Sequence, residues 1–565
     1  MCTGNDESRG ILNGGEAVTS KVQRMRDRDD DDDDNDNNNH NSDEGTSYAF
    51  SSKSCRFVHG LLHHLTAQLP SLSLSEVREE SQSLAKVALP IIATSTLMYS
   101  RSVISMLFLG RQGKAELAGG SLAIGFANIT GISVLKGLTM GMDPICCQAY
   151  GAKRWSVLSQ TFHKMLCLLL LISLPIILLW INMTTILQWL GQDLEVTKVA
   201  QVYLLFSIPE LLAQAHLFPL RAFLRTQGLT TPLTVAASCA AVLHAPVNYF
   251  LAMYLKLGVK GVALATGLNS INMNLGLVIY LVVSKKPLKP WQGHGGGGDQ
   301  KKFFIAAFQG WGPLLSLALP SCLSVCLEWW WYEIMLFLCG LLGNPQTTVA
   351  TMGILIQTTG LLYIFPFSLS SALTTRVGHS LGAGQPSRAQ CTAILGLSLA
   401  FIFGVLAFFF TVSVRKVWAR MFTNEIQIID MVTSVLPIVG LCEIGNWPQT
   451  ASWGILSGTA RPNVGARINL CAFYGIGLPV AIVATFVYKF DMLGLWSGML
   501  AAQISCFAMM LYTLCRTDWG QQSKRAEALA MKTIDREVED KEEEKEEGQD
   551  QDQIDEETGL LNSDL

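Results

Sequence analysis

The chain has 565 residues, half of them hydrophobic and only 15% charged, with a formal net charge of −4. A soluble domain of this length carries about 25% charged residues, so the composition argues against a soluble globular protein. The charge is also unevenly placed: 26 Lys and Arg face 12 Asp and Glu between Leu84 and Cys515, whereas the two ends together hold 15 against 33.

Residues 1–80 read as a disordered, acidic cytoplasmic tail. The run Asp29–Asp34 and the Asn37–Asn39 stretch cannot bury enough apolar surface to offset chain entropy. No cleavable signal peptide is visible, so the first apolar helix is expected to direct insertion. Twelve apolar stretches of about 20 residues follow, each long enough to cross ~30 Å of hydrocarbon. They fall near 84–109, 117–142, 160–181, 197–219, 231–255 and 258–283, then 312–339, 347–372, 389–412, 428–450, 463–488 and 493–515. The predicted fold is an all-α polytopic membrane protein of two six-helix lobes, 84–283 and 312–515. A basic, Gly-rich cytoplasmic linker at 284–311 joins them, and 516–565 forms a second acidic cytoplasmic tail.

Basic residues set the expected orientation. Twelve Lys and Arg, Arg221, Arg225 and Arg376 among them, are assigned to inner loops and eight to outer loops. The positive-inside rule then puts both termini in the cytoplasm. An internal repeat sets the symmetry. Met106-Leu-Phe-Leu109 recurs as Met335-Leu-Phe-Leu338, Pro90 as Pro320, Gly151-Ala152 as Gly382-Ala383, and Gly228 with Pro232 as Gly458 with Pro462. All four recur at nearly the same displacement. Each half has an even number of spans, so the halves should be related by a pseudo-two-fold axis along the membrane normal. A solute site near the midplane and alternating access fit such halves.

An ionisable residue in hydrocarbon costs at least ~2.5–3.5 kcal/mol at a helix centre and therefore marks a cavity or a partner. Burial penalises the charged form of a carboxylate, so an embedded one can exchange its charge for a proton. Glu328, Glu443, Glu210 and Glu333 are the proton-coupling candidates, Glu328 and Glu443 before the others. Glu328 and Glu333, five positions apart, cannot share a helix face. Asp143 is expected near a helix end at the interface, Lys136 to snorkel at the cytoplasmic end of its helix, and Arg101 to lie near the outer interface. Asn128, Asn248, Gln357, Trp329 and Tyr363 are candidates for the cavity wall, with interhelical hydrogen bonding the alternative for the amides.

The fourteen cysteines lie mostly in apolar stretches and contain no CxxC pair, so they read as packing residues and no metal site is expected. A membrane-embedded enzyme would need a clustered catalytic set. The nine histidines are scattered and no GxxxxGK[ST] loop occurs, which leaves an enzyme a remote alternative.

Several stretches resemble the multidrug and toxic compound extrusion (MATE) transporters of the plant detoxification branch. They are Gly141-Met-Asp-Pro-Ile-Cys-Cys-Gln-Ala-Tyr-Gly-Ala152, Pro366 to Gly384, Cys326-Leu-Glu-Trp-Trp330, Pro219-Leu-Arg-Ala-Phe-Leu-Arg225 and Leu456-Ser-Gly-Thr-Ala-Arg461. The resemblance covers about residues 75–520. It implies twelve helices in two lobes and export of small organic solutes (metabolites, xenobiotics or hormones) in exchange for protons, with the family's seventh-helix acid at Glu328. The chain departs from relatives in two places. An acid that relatives often carry about seven residues before the Leu-Ser-Gly element would fall near Thr450; this chain instead has Glu443, about two helical turns earlier, and no acid lies in 84–109. A sodium-coupled exporter or a lipid flippase on a related two-lobe fold is the closer alternative.

Near the end, Glu556-Glu-Thr-Gly-Leu560-Leu561 matches the ExxxLL pattern of sorting adaptors. The match favours endosomal, Golgi-derived or vacuolar membranes over the plasma membrane. The expected partners are a small organic solute, the lipid bilayer and that adaptor. No nucleic acid and no cofactor are expected beyond a proton (or sodium) gradient, and the chain is read as a monomer.

Overall fold

The structure, a computed structural model, describes residues 74–189, 194–284, 310–423 and 425–529. The adaptor match at Glu556, Leu560 and Leu561, most of the linker and most of both tails lie outside the described residues. Among the described residues eleven helices are long and apolar enough to span a membrane, and one bent pair, taken as a single span, makes a twelfth. In chain order they are α1 (Leu74–Gln112), α2 (Ala115–Gly151), α3 (Trp155–Ile181), α4 (Leu194–Phe206 and Ile208–Thr226, bent by 47°), α5 (Thr231–Tyr254) and α6 (Val259–Ser284). The second set is α7 (Gly312–Cys339), α8 (Pro345–Gly382), α9 (Pro386–Phe422), α10 (Ile426–Gly458), α11 (Pro462–Val487) and α12 (Asp491–Cys515). No strand occurs among the described residues. Backbone groups in hydrocarbon must be satisfied within their own segment, which a helix does and an open strand does not.

Several helices are longer than their apolar stretches. α1 has 39 residues and α8 has 38. At a rise of about 1.5 Å per residue, each exceeds the hydrocarbon thickness and extends beyond it. The same effect displaces one sequence boundary with consequences for function. The apolar stretch 197–219 suggested that Arg221 and Arg225 lie in an inner loop. In the structure α4 continues to Thr226 and stops only before Gly228, whose φ of 72° ends the helix. Both arginines therefore lie within α4 and not in a loop. Arg376 likewise lies within α8.

The two sets of six helices are pseudo-symmetric down to their turns. Left-handed residues come in pairs close to the repeat spacing: Lys153 with Gly384, Gly228 with Ala460, and Lys256 with Lys489. α5 and α11 both carry π-helical turns, at Tyr249–Tyr254 and at Leu470–Gly477 and Val483–Val487. Two large hydrophobic cores and a small third cluster around Val377 form among the described residues, and the halves exchange residues from the N-terminal parts of α1 and α7 between the large cores. Leu84 and Ala88 of α1 belong to the second core, whereas Leu314 and Ala318 of α7 belong to the first. Leu84 with Leu314, and Ala88 with Ala318, are themselves repeat partners.

On the side of the bundle that carries residues 74 and 515, α2 and α8 close against each other around the symmetry axis. A Cβ on Gly151 would overlap the carbonyl oxygen of His379, and a Cβ on Gly382 would overlap that of Gln148. Gln148 and His379 are again repeat partners, so the contact is reciprocal. Gln148 Nε2 donates to the Gly458 carbonyl at 2.9 Å, and His379 Nε2 lies 2.8 Å from the Thr226 carbonyl. Glu80 at the start of α1 accepts from Arg376 at 2.9 and 2.8 Å and from Thr392 at 2.9 Å, tying α1 to α8 and α9. Glycine lets two backbones meet where any side chain would hold them apart.

Candidate functional site: the central cavity

Above the α2–α8 contact lies a cavity of about 280 Å³, walled by α1, α2, α4, α5, α7 and α8. Its walls are largely apolar, including Ile91, Met98, Ile132, Phe218, Leu233 and Ile364, with Trp329, Tyr363 and Phe367 supplied by the second half. The charged groups come from the first half: Arg101, Lys136, Asp143, Arg221 and Arg225.

Three sequence expectations are corrected here. Arg101 turns into the cavity rather than outward. Its Nη1 pairs with Glu210 Oε1 at 2.8 Å and donates to Ser270 at 3.2 Å. Lys136 does not snorkel. Its ammonium stands 4.9 Å from the Trp329 ring centroid and 4.4 Å from that of Phe367. Asp143 does not reach the interface but is buried and ion-paired to Arg225. One physical reason covers all three: an intramembrane cavity offers charge a polar surface that hydropathy, which sees only lipid or water, does not register.

The Arg225–Asp143 pair carries a stability prediction. Removing one member of a buried pair leaves an uncompensated charge and costs about 3–5 kcal/mol. Arg225→Ala should therefore lower the thermal midpoint of the detergent-purified protein, and the double variant Asp143→Asn/Arg225→Gln should regain most of the loss. An unchanged midpoint for Arg225→Ala would show that the pair contributes no stability.

The four proton-coupling candidates separate clearly. Glu328 lines a smaller chamber of about 20 Å³ next to the main cavity, together with Ser324, Gln449, Thr450 and Asn469. That is room for about one water molecule. The Tyr363 hydroxyl faces the Glu328 carboxyl, and the Lys136 ammonium acts on it electrostatically. Glu443 is buried in α10, where Asn446 Nδ2 donates to it at 3.1 Å and Thr450 Oγ1 reaches Asn446 Oδ1 at 3.4 Å. This chain links Glu443 to the Glu328 chamber along one face of α10, since positions three and four apart are neighbours. Glu210 is held by Arg101, and Glu333 lines neither cavity.

Of the predicted wall residues, Trp329 and Tyr363 line both chambers. Gln357 accepts from the Tyr99 hydroxyl at 2.7 Å, bridging α8 and α1 outside the cavity lining. Asn248 donates to His244 Nε2 at 3.0 Å in a packed network with Ser105. Asn128 opens the π-helical turn of α2, outside the lining of both chambers. Sequence reasoning missed Arg221, Arg225 and Gln214 as cavity residues. Arg221 and Arg225, four positions apart, were legible as one helical face once the helix was extended to Gly228.

A family model named MatE matches residues 90–250 and 320–483, once in each half. The chain belongs to the MatE family. It is 57% identical over 491 residues to Protein DETOXIFICATION 53 of Arabidopsis thaliana, covering 86% of this chain and 99% of the relative. It is 32% identical to Multidrug and toxin extrusion protein 1 of Xenopus tropicalis, covering 86% of this chain and 80% of that one. The crystal structure of a eukaryotic MATE transporter, AtDTX14, superposes with a TM-score of 0.76 at 29% identity, covering 80% of this chain and 99% of that chain. As a family member the chain is a multi-pass membrane transporter, not an enzyme.

Proposed function

We propose that this chain exports small organic solutes by alternating access in exchange for protons, with the segments 84–283 and 312–515 as the two moving lobes and both termini cytoplasmic. The observation that carries the reading is an embedded carboxyl, Glu328, placed beside the central cavity between two pseudo-symmetric halves. Ionised, Glu328 accepts hydrogen bonds from a polar solute. Protonated from the acidic side, it loses that acceptor strength and the lobes shift toward release. A proton can bias the lobes only through its different affinity for the two states, and a carboxyl at the junction of α7 and α8 is placed to differ between them. Glu443, joined to the same chamber through Asn446 and Thr450, is the second protonation site in this scheme.

The test is solute flux by the full chain in proteoliposomes under an imposed pH gradient, with a separate sodium gradient as comparison. The panel holds organic cations, organic anions and plant metabolites. Flux that follows the pH gradient is expected, and flux that follows sodium alone would replace the proton by sodium. We further propose an endomembrane location read from Glu556, Leu560 and Leu561. Leu560→Ala with Leu561→Ala should then redistribute a tagged protein, and unchanged distribution would remove the motif's role.

A further inference from the structure

We propose that the central cavity is built for an organic anion that also carries hydrogen-bond donors, such as a hydroxylated aromatic carboxylate, and against organic cations. The inference rests on the solute-transporter reading and names the substrate class of the same cavity.

The charges do not balance. Arg101 is matched by Glu210 and Arg225 by Asp143. Lys136 and Arg221 have no carboxylate oxygen within 4.0 Å among the described residues. The Arg221 guanidinium instead contacts the Met98 sulfur at 3.1 Å, a weak acceptor for so strong a donor. Among the groups that line the two chambers and their ion-pair partners, counting Glu328 as ionised leaves four cations against three carboxylates, with Glu443 lining neither chamber. The cavity therefore stays positive whichever way Glu328 is protonated. Unmatched charge inside a membrane points to a functional site, and here the missing counter-charge is an anion.

The aromatic wall leads to the same class by a separate route. Aromatic faces recognise cationic ligands through the ring quadrupole. Those of Trp329 and Phe367 are already taken by the protein's own Lys136 ammonium, at 4.9 and 4.4 Å. An incoming quaternary ammonium would have to displace a like charge.

The remaining polar atoms describe the rest of the solute. Asp143 Oδ1 and Gln214 Oε1 are buried acceptors on the cavity wall with no partner, and a buried acceptor left unmatched is costly. Hydroxyl groups on the solute would supply the donors. The apolar walls suit an aromatic body. A volume of about 280 Å³ lies at the small end of ligand sites, which span about 300–1,000 Å³.

The test uses two probes with one skeleton: 6-hydroxy-2-naphthoate and (6-hydroxy-2-naphthyl)methyltrimethylammonium. Their binding to the purified full chain in detergent is measured calorimetrically, at fixed pH and with no gradient. The anion should bind saturably and the cation at least about tenfold more weakly. Loss of a charge-assisted hydrogen bond is worth about tenfold or more, so Lys136→Gln and Arg221→Gln should each weaken the anion by about that factor. Lys136→Gln should also uncover binding of the cation, a gain that unfolding would not produce. The charge-keeping Lys136→Arg and Arg221→Lys should retain most of the anion affinity. Cation binding equal to or tighter than the anion's would overturn the proposal, as would no saturable anion binding or Gln variants that bind like the parent. Anion binding without pH-driven flux in vesicles would count against proton exchange and leave the anion site standing. pH-driven flux of the cation without anion binding would do the reverse.

Discussion

Replacing Glu328 by Gln is expected to abolish the response of solute flux to a pH gradient while leaving equilibrium solute binding measurable. The substitution keeps the shape of the side chain in a chamber of about 20 Å³ and its ability to face Tyr363, but removes the protonatable oxygen. In one-to-one exchange a single pH unit is worth about 1.4 kcal/mol, a tenfold accumulation ratio. The parent protein should approach that ratio in sealed vesicles and Glu328→Gln should stay near one. Glu443→Gln is the informative companion. Glu443 does not line the chamber and connects to it through Asn446 and Thr450, so its variant should reduce the ratio less. Unaltered gradient-driven accumulation in Glu328→Gln would end the assignment of coupling to α7.

The second large effect is expected at the glycine contact. In Gly151→Val and Gly382→Val the new side chain meets a carbonyl oxygen of the opposite half, and backbone cannot rotate away as a side chain could. Overpacking of this kind costs about 1–3 kcal/mol, and about 1–2 kcal/mol already changes a two-state ratio by a factor of ~5–30. The closed arrangement of α2 and α8 should lose population accordingly. Spin labels on the turns following α2 and α8 should report longer distances in either variant, and flux should fall in both. Because Gln148 and His379 are repeat partners, the two substitutions should act alike. Identical distance distributions in parent and variant would show that the contact sets no equilibrium. The Glu80–Arg376 bond at 2.8 Å and the exchanged N-terminal parts of α1 and α7 lie on the same side. The glycines therefore act within a larger closure.

Much of the fold was legible because its signals are local or self-referential. Apolar stretches of about 20 residues announce spans without knowledge of their neighbours. Motifs that recur at one displacement, as Pro90 does at Pro320, announce duplication by comparison of the chain with itself. Where a span is broken, as at Phe206–Ile208 in α4, hydropathy still finds one crossing because the bend of 47° leaves composition unchanged. The site was legible only in part. Glu328, Trp329 and Tyr363 were anticipated, since a carboxyl or an aromatic cluster in an apolar helix is conspicuous alone.

Lys136, Arg221 and Asp143 were misplaced for the opposite reason. Lys136, Thr139 and Asp143 share one face of α2, and Glu210, Gln214, Arg221 and Arg225 share one face of α4. Such a stripe marks a face but does not say whether that face meets water, a neighbouring helix or a cavity. A charge near the end of an apolar stretch looks like an interfacial one until the packing of six helices surrounds it. The sequence by itself thus determined twelve crossings, their duplication and membership of the MatE family's pattern, all properties of the chain read along its length. Only the tertiary structure decided that the first half supplies the charge of the main cavity and the second half most of its aromatic wall. That assignment depends on which helices converge, and convergence is set by contacts such as Gly151 with His379 that lie far apart in the chain.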